Sequence, residues 1–257
     1  GSERVRAIRP RYSSVSRGRR CLLSGSFGLH LLGHRHPDIV KACIDQLGRC
    51  AWSTKILGNE QATGCAERLV DSTAAQMDGV IFGNSGAEAN EIALKMSLTA
   101  TGRKTVLALK RSYHGKSQAA LTISDTLARQ SVQTTTAFNT VFVDPSDRDG
   151  IGAALASGSV AAVFVEPVQG EGGIIAVPDQ ELVWIAEQCH AHGTLFVVDE
   201  IQTGLGRCGQ VWAADHAQLK PDIITAGKTL GGGVMPLSAV IFSRSKLTKA
   251  ATDPVLH

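Results

Sequence analysis

Between Val80 and Phe242 seven short apolar runs alternate with stretches of helical spacing. VIFG (80–83), Val106–Leu109, Val141–Val143, AAVFVE (161–166), Leu195–Val198, Ile223–Ile224 and LSAVIF (237–242) read as buried strands. Glu88–Thr99 and Glu181–His190 read as helices, the second with Leu182, Ile185, Ala186 and Cys189 on one face. Such alternation predicts an α/β layer fold with a mainly parallel sheet. No linker splits residues 80–245. Ahead of this block, Ile39, Val40, Cys43, Ile44 and Leu47 predict a helix that starts at Pro37 and stops near Gly48. A second helical run follows Gly58-Asn59 through Cys65, Leu69 and Val70. Residues 1–35 read as an irregular arm with a short extended piece in LLSGSFGLHLLGH.

Chemistry concentrates where the strands end. The run Leu195–Val198 stops on Asp199 and Glu200, and Ile223–Ile224 leads through Ala226-Gly227 to Lys228, followed by Thr229, Leu230 and three glycines. If the two strands are parallel, acid and lysine emerge from one edge of the sheet, where open α/β sheets bind ligands. A carboxylate after four apolar residues requires a cation or several hydrogen bonds. An arginine or a protonated pyridine nitrogen would serve. A lysine among apolar and glycine residues is partly desolvated, its pKa falls, and its neutral amine can form a Schiff base with an aldehyde. The plain alternative is a surface lysine with its stem on apolar neighbours.

Other strand ends carry suggestive groups. Gly83-Asn84-Ser85-Gly86-Ala87-Glu88 joins a strand to a helix, with Ser85 and Glu88 at capping-box spacing. Open N–H groups in such a first turn suit a phosphate, although an ordinary capped helix reads the same way. Tyr113-His114-Gly115 follows the strand at Val106, and Glu166-Pro167 and Gln169-Gly170-Glu171 follow the strand at Ala161. Each could be a plain turn, but their convergence on the ends of parallel strands is not what random placement gives. Two nucleotide motifs fail. GKT at 227–229 lacks the leading glycine of a P-loop, since position 222 is Asp. Gly204, Gly206 and Gly209 fit GxGxxG but stand away from the strand end, with no clear helix following.

Composition narrows the classes further. Of the 257 residues, 43% are apolar, and no run of them approaches a membrane span. The basic arm (Arg4, Arg6, Arg9, Arg11, Arg17, Arg19, Arg20) has no apolar segment of a secretory signal. It reads as solvated, and the net charge of +3 does not argue for nucleic acid. Six cysteines without a CxxC pair read as free thiols in a reducing compartment. His30, His34, His36, Cys189, His190 and His192 have no recognised metal-ligand spacing, so no metal is expected.

Taken together, LLGHRHP, FGNSGAEANEIALK, SYHGKS, VEPVQGEGG, VVDEIQTGLGR and GKTLGGG resemble, in order and across about residues 30 to 240, the class III pyridoxal-phosphate-dependent aminotransferases. The group includes the ornithine, acetylornithine and ω-amino-acid aminotransferases. The resemblance implies a type I fold, with a mainly parallel sheet whose last strand is antiparallel and helices on both faces. It implies an arm over 1–35, a cofactor-binding large domain over 36–245, and the start of a following segment at 246–257. The small C-terminal domain, and the segment whose threonine reaches the neighbouring subunit's cofactor phosphate, would lie beyond the chain.

Carried over to these positions, the resemblance makes Lys228 the Schiff-base lysine and proton shuttle. Asp199 would pair with the pyridine nitrogen and Gln202 would contact the ring hydroxyl. Ser85, Gly86 and Ala87 would hold the phosphate, Tyr113 would stack on the ring, and His114 would sit beside it. Glu166 would lie behind the cofactor, and Glu171 would be a gating acid. Lys116 stands where many ω-amino-acid members carry an arginine that binds a substrate carboxylate, so their specificity does not carry over. The implied activity is ping-pong transfer of an amino group from an amino acid or ω-amine to a 2-oxo acid, in a cytoplasmic homodimer with no nucleic-acid or membrane partner. The same motifs leave open a mutase, racemase or decarboxylase, or an incomplete domain serving assembly or binding.

Overall fold

A computed structural model describes residues 13–16, 19–22, 26–51, 58–74, 77–127 and 136–247, the first two segments as backbone only. Seven strands form the central sheet: β3 (Gly79–Gly83), β4 (Thr105–Leu109), β5 (Asn139–Val143), β6 (Val160–Val165), β9 (Leu195–Asp199), β10 (Ile223–Ala226) and β11 (Ser238–Phe242). Their order is β3-β11-β10-β9-β6-β4-β5. β11 runs antiparallel to both its neighbours, and the other pairings are parallel. The carboxyl ends of β3, β4, β6, β9 and β10 therefore share one edge. Every strand expected from the sequence is present, with ends shifted by no more than two residues.

Because side chains alternate along a strand, each buried strand feeds two cores. Leu107, Val163, Phe196, Val198 and Ile224 face one side. There they meet Leu69 of α2 (Glu60–Asp71), Ile151 and Leu155 of α5 (Arg148–Ala156), and Leu182 and Ile185 of α6 (Asp179–Ala191). Val106, Ala108, Phe164, Leu195, Val197 and Ile223 face the other, against Ala89, Ala93, Leu94 and Met96 of α3 (Gly86–Thr101). α1 (Pro37–Arg49) begins at its proline, as the pattern predicts, and has no buried residue.

Three features depart from the sequence reading. The arm expected to be irregular contains a hairpin, β1 (Ser13–Ser16) antiparallel to β2 (Arg19–Leu22). α5 was not anticipated, because Gly150 and Gly152 mask it. Asp147 caps it through the Gly150 N–H at 3.0 Å, and full burial of Ile151 and Leu155 overrides weak propensity. A short helix, α4 (Gln118–Thr122), fills a stretch the sequence left unassigned, and two short strands, β7 (Val168–Gln169) and β8 (Ile175–Ala176), form a hairpin around the glycines after Gln169.

Candidate active site at the carboxyl edge of the sheet

The two acids at the end of β9 part company. Asp199 shares the face of Leu195 and Val197 and turns toward α3, opposite Thr225 of β10 in the parallel register. Glu200 turns away. Its Oε1 accepts the Ala214 N–H at 2.8 Å, its Oε2 accepts the Thr203 hydroxyl, and burial raises its pKa. Glu200 thus ties down the loop after β9 and lies outside the candidate site.

Asp199 is 4% exposed, and both its oxygens have partners. Its Oδ2 accepts Asn90 Nδ2 at 2.8 Å and faces His114 Nδ1 at 2.7 Å, while Oδ1 accepts the Ile201 N–H at 3.0 Å. Here is the hydrogen-bond set that the position demands. His114 is 2% exposed, and its ring meets Phe164 edge-on at 5.7 Å. Burial disfavours its cation, but the hydrogen bond and charge of Asp199, with Glu166 adding, outweigh that and raise its pKa. Its Nε2 is buried with no hydrogen-bond partner among the described residues.

Lys228 follows β10 by one residue, and its backbone stands in the left-handed region at φ 43°, sparsely populated for a side chain other than glycine. Its Nζ donates to Gln202 Oε1. Burial lowers the amine's pKa, against the opposing charges of Asp199, Glu166 and Glu171. Gln202 in turn fills space left by Gly170, where an added Cβ would stand 2.4 Å from Gln202 Nε2.

At the start of α3, Ser85 forms the capping box with Glu88 that its spacing predicts. Its Oγ accepts the Glu88 N–H at 3.2 Å, and Glu88 Oε2 accepts the N–H groups of Asn84 at 2.7 Å and Ser85 at 2.8 Å. Those bonds, that of Asn84 first, lower the Glu88 pKa. The N–H groups of Gly86 and Ala87 hold no partner among the described residues, so capping leaves two donors at a dipole end. Three other loops close around this turn. A Cβ on Gly86 would meet Ile201 at 2.8 Å, a Cβ on Gly115 would meet Ala87 at 2.7 Å, and one on Gly227 would lie 3.7 Å from Gly86 Cα.

Tyr113, Glu171 and Lys228 line a cleft of about 780 Å³ together with Phe27, Leu29 and Lys116. Glu166 is 6% exposed, and its Oε1 accepts the N–H of the cleft residue Tyr113 at 2.7 Å. Burial pushes its carboxyl up to about 7, with His114 opposing and Asp199 adding to the rise. Burial, then the charge of Glu171, raises the Tyr113 phenol. Glu171 itself is exposed. Ser85, Gly86 and Ala87 thus lie at the helix start, Asp199 ends β9, and Tyr113, His114, Glu166, Glu171, Gln202 and Lys228 lie in the loops that follow β4, β6, β9 and β10. Sequence reasoning missed Asn90, Thr225 and Ile201. An amide at position 90 between buried Ala89 and Ala93 was the one available signal. Gly204–Gly209 forms turns with no α-helix following, and among the described residues no helix is long and apolar enough to cross a membrane.

A family model for class-III aminotransferases matches residues 17–253. Acetylornithine aminotransferase of Mycolicibacterium smegmatis is 36% identical over 219 residues, covering 85% of this chain and 55% of that protein. Among solved structures, ornithine aminotransferase from Toxoplasma gondii aligns with a TM-score of 0.82 at 31% identity, over 91% of this chain and 56% of that one. Taurine:2-oxoglutarate aminotransferase from Bifidobacterium kashiwanohense, solved with PLP and glutamate, aligns at 0.81 and 28% identity, over 93% and 59%. The chain spans about half the length of these relatives and shares with them the type I fold. A match to the family model along nearly its whole length makes this chain a member of the class-III aminotransferase family.

Proposed function

We propose that this chain is the pyridoxal-phosphate-holding large domain, over residues 36–245, of a cytoplasmic homodimeric aminotransferase. The reaction is transfer of an amino group from an amino acid or ω-amine to a 2-oxo acid. The observation that carries the reading is the gathering of Lys228, Asp199 and the open first turn of α3 at the carboxyl ends of β10, β9 and β3, which share one edge of the sheet. Those residues fit a flat phosphorylated pyridine. Gly86, Gly115, Gly170 and Gly227 stand where a Cβ would meet or crowd a neighbouring loop, two N–H donors are open, and a partnered carboxylate lies beneath.

In this reading the N–H groups of Gly86 and Ala87 bind the phosphate, with Ser85 at the cap. Asp199 holds a proton on the ring nitrogen, His114 lies beside it, and Gln202 receives the ring hydroxyl. Tyr113 covers the ring face, Glu166 backs it, and Glu171 gates the cleft. When bound, the cofactor supplies an aldehyde and an electron-withdrawing ring that stabilises negative charge at the carbon losing its proton. Lys228, its amine's pKa lowered by burial, takes and returns that proton as general base and acid.

Added pyridoxal phosphate should give an absorbance band that disappears in Lys228→Ala. An amine-donor screen with 2-oxoglutarate or pyruvate, on protein carrying the remaining length of its relatives, should then show acceptor-dependent turnover. No Lys228-dependent band would end the proposal.

A further inference from the structure

Asn90 lies one helical turn after Gly86 on α3, so helix periodicity sets both on one face. Gly86 belongs to the open first turn. Asn90 is fully buried, an uncommon place for an amide, and three partners on three different elements satisfy it. Its Nδ2 donates to Asp199 Oδ2 at 2.8 Å, at the end of β9, and to the His114 carbonyl at 2.7 Å, in the loop after β4. Its Oδ1 accepts the Thr225 hydroxyl at 2.9 Å, from β10. Thr225 stands opposite Asp199 in the sheet register. The amide therefore has no freedom to turn, and neither has the carboxylate it holds.

We infer that Asn90 is the positioning residue for the ring acid: through it, the helix whose first turn takes the phosphate also sets where the Asp199 carboxylate stands. Four residues of helix rise about 6 Å, so the phosphate donors and the carboxylate clamp keep a fixed spacing along one rigid element. A carboxylate has about four lone-pair directions. With Asn90 and His114 on Oδ2 and the Ile201 N–H on Oδ1, the acid is anchored from behind and keeps capacity for one more donor. The charged groups around it are His114, Glu166, Glu200 and Lys228, and Asn90 is the neutral side chain that holds it. This inference deepens the proposed cofactor site and rests on that reading.

The test uses Asn90→Leu, which removes both donors at nearly constant volume, and Thr225→Val, a milder change that frees Asn90 from its third anchor. Two ligands separate positioning from plain structural damage. Pyridoxal phosphate uses both the phosphate turn and the acid, whereas benzyl phosphate uses the turn alone. Asn90→Leu should weaken pyridoxal phosphate at least tenfold and leave benzyl phosphate within twofold, with Thr225→Val intermediate. Asn90→Leu combined with Asp199→Asn should be no weaker than Asp199→Asn alone.

In the cofactor-free chain, the His114 imidazole followed by NMR should bind its proton about tenfold more tightly in Asn90→Leu, because Asp199 then has one competing donor fewer. Equal weakening of both phosphates, or an unmoved His114 titration in both variants, overturns the inference. If the wild-type chain binds no pyridoxal phosphate while His114 shifts as stated, the cofactor reading fails and the positioning of Asp199 by Asn90 stands. Should Asn90→Leu not fold, Thr225→Val decides on the same readouts, with shifts of about threefold.

Discussion

The buried acid bonded to Tyr113 provides a direct measure of how dry this rim is. Glu166 is 6% exposed, and its carboxyl is pushed from 4.5 up to about 7, with burial as the largest cause. At about 1.4 kcal/mol per pH unit, that rise corresponds to about 3 kcal/mol of folding free energy. The sign follows from proton binding. Below the unfolded value both states hold the proton, and Glu166 contributes no pH dependence. Between about 4.5 and about 7 the unfolded chain releases it while the folded chain keeps it, so stability falls as pH rises. Above about 7 the loss is complete.

Glu166→Gln removes the titration and keeps an oxygen that can accept the Tyr113 N–H, now at 2.7 Å from Oε1. The amide places a donor where the acid receives the Gly170 N–H, a penalty independent of pH. The pH dependence is therefore the quantity to read. Urea unfolding of both proteins at about pH 4 and about pH 8 should show the variant gaining about 3 kcal/mol relative to wild type between the two conditions. Loss of the Glu166 charge also lowers the proton affinity of His114, which adds to the gain, because less of the stability tied to the His114 proton is then lost as pH rises. Parallel pH profiles, within about 0.5 kcal/mol, would refute the idea that this carboxyl is held out of water.

Five further outcomes are expected. Gly115→Ala puts a side chain at φ 134° with its Cβ 2.7 Å from Ala87, and should cost about 2 kcal/mol or more by chemical denaturation. Gly152→Ala, in α5 with open space around it, should instead stabilise by about 0.5–1 kcal/mol. Asp199→Asn should weaken pyridoxal phosphate by tenfold or more with a modest change in melting. Glu200→Gln should lower stability by about 1–3 kcal/mol and leave the cofactor's affinity per folded molecule unchanged, since Glu200 bonds Ala214 and Thr203 on the other side. Leu155→Ala should cost about 2–4 kcal/mol in the same denaturation assay, because Leu155 is fully buried against the sheet.

Strands were legible wherever both faces are covered, since a run such as Val160–Val165 must be apolar throughout. Lys228 and Asp199 were legible for the complementary reason: each interrupts an apolar run at its end. Asn90 was not, because its partners Asp199, His114 and Thr225 are remote in sequence and converge only when the sheet register is set. Glu200 looked equivalent to Asp199, and only the alternation of strand faces separates them. α5 escaped for a third reason. Its two glycines speak for a turn, whereas Ile151 and Leu155, one turn apart and fully buried, hold the helix through contacts with distant elements.

β11 is the one strand that runs against the rest, and its place between β3 and β10 has a consequence for biosynthesis. As the ribosome extends the chain, β3 and α3 appear early, and β3 has no sheet neighbour among the described strands until Ser238–Phe242 has been made. Closing so long a loop is slow compared with local helix formation. β3 must therefore wait, an unpaired edge open to wrong partners, until β11 arrives to join it to β10.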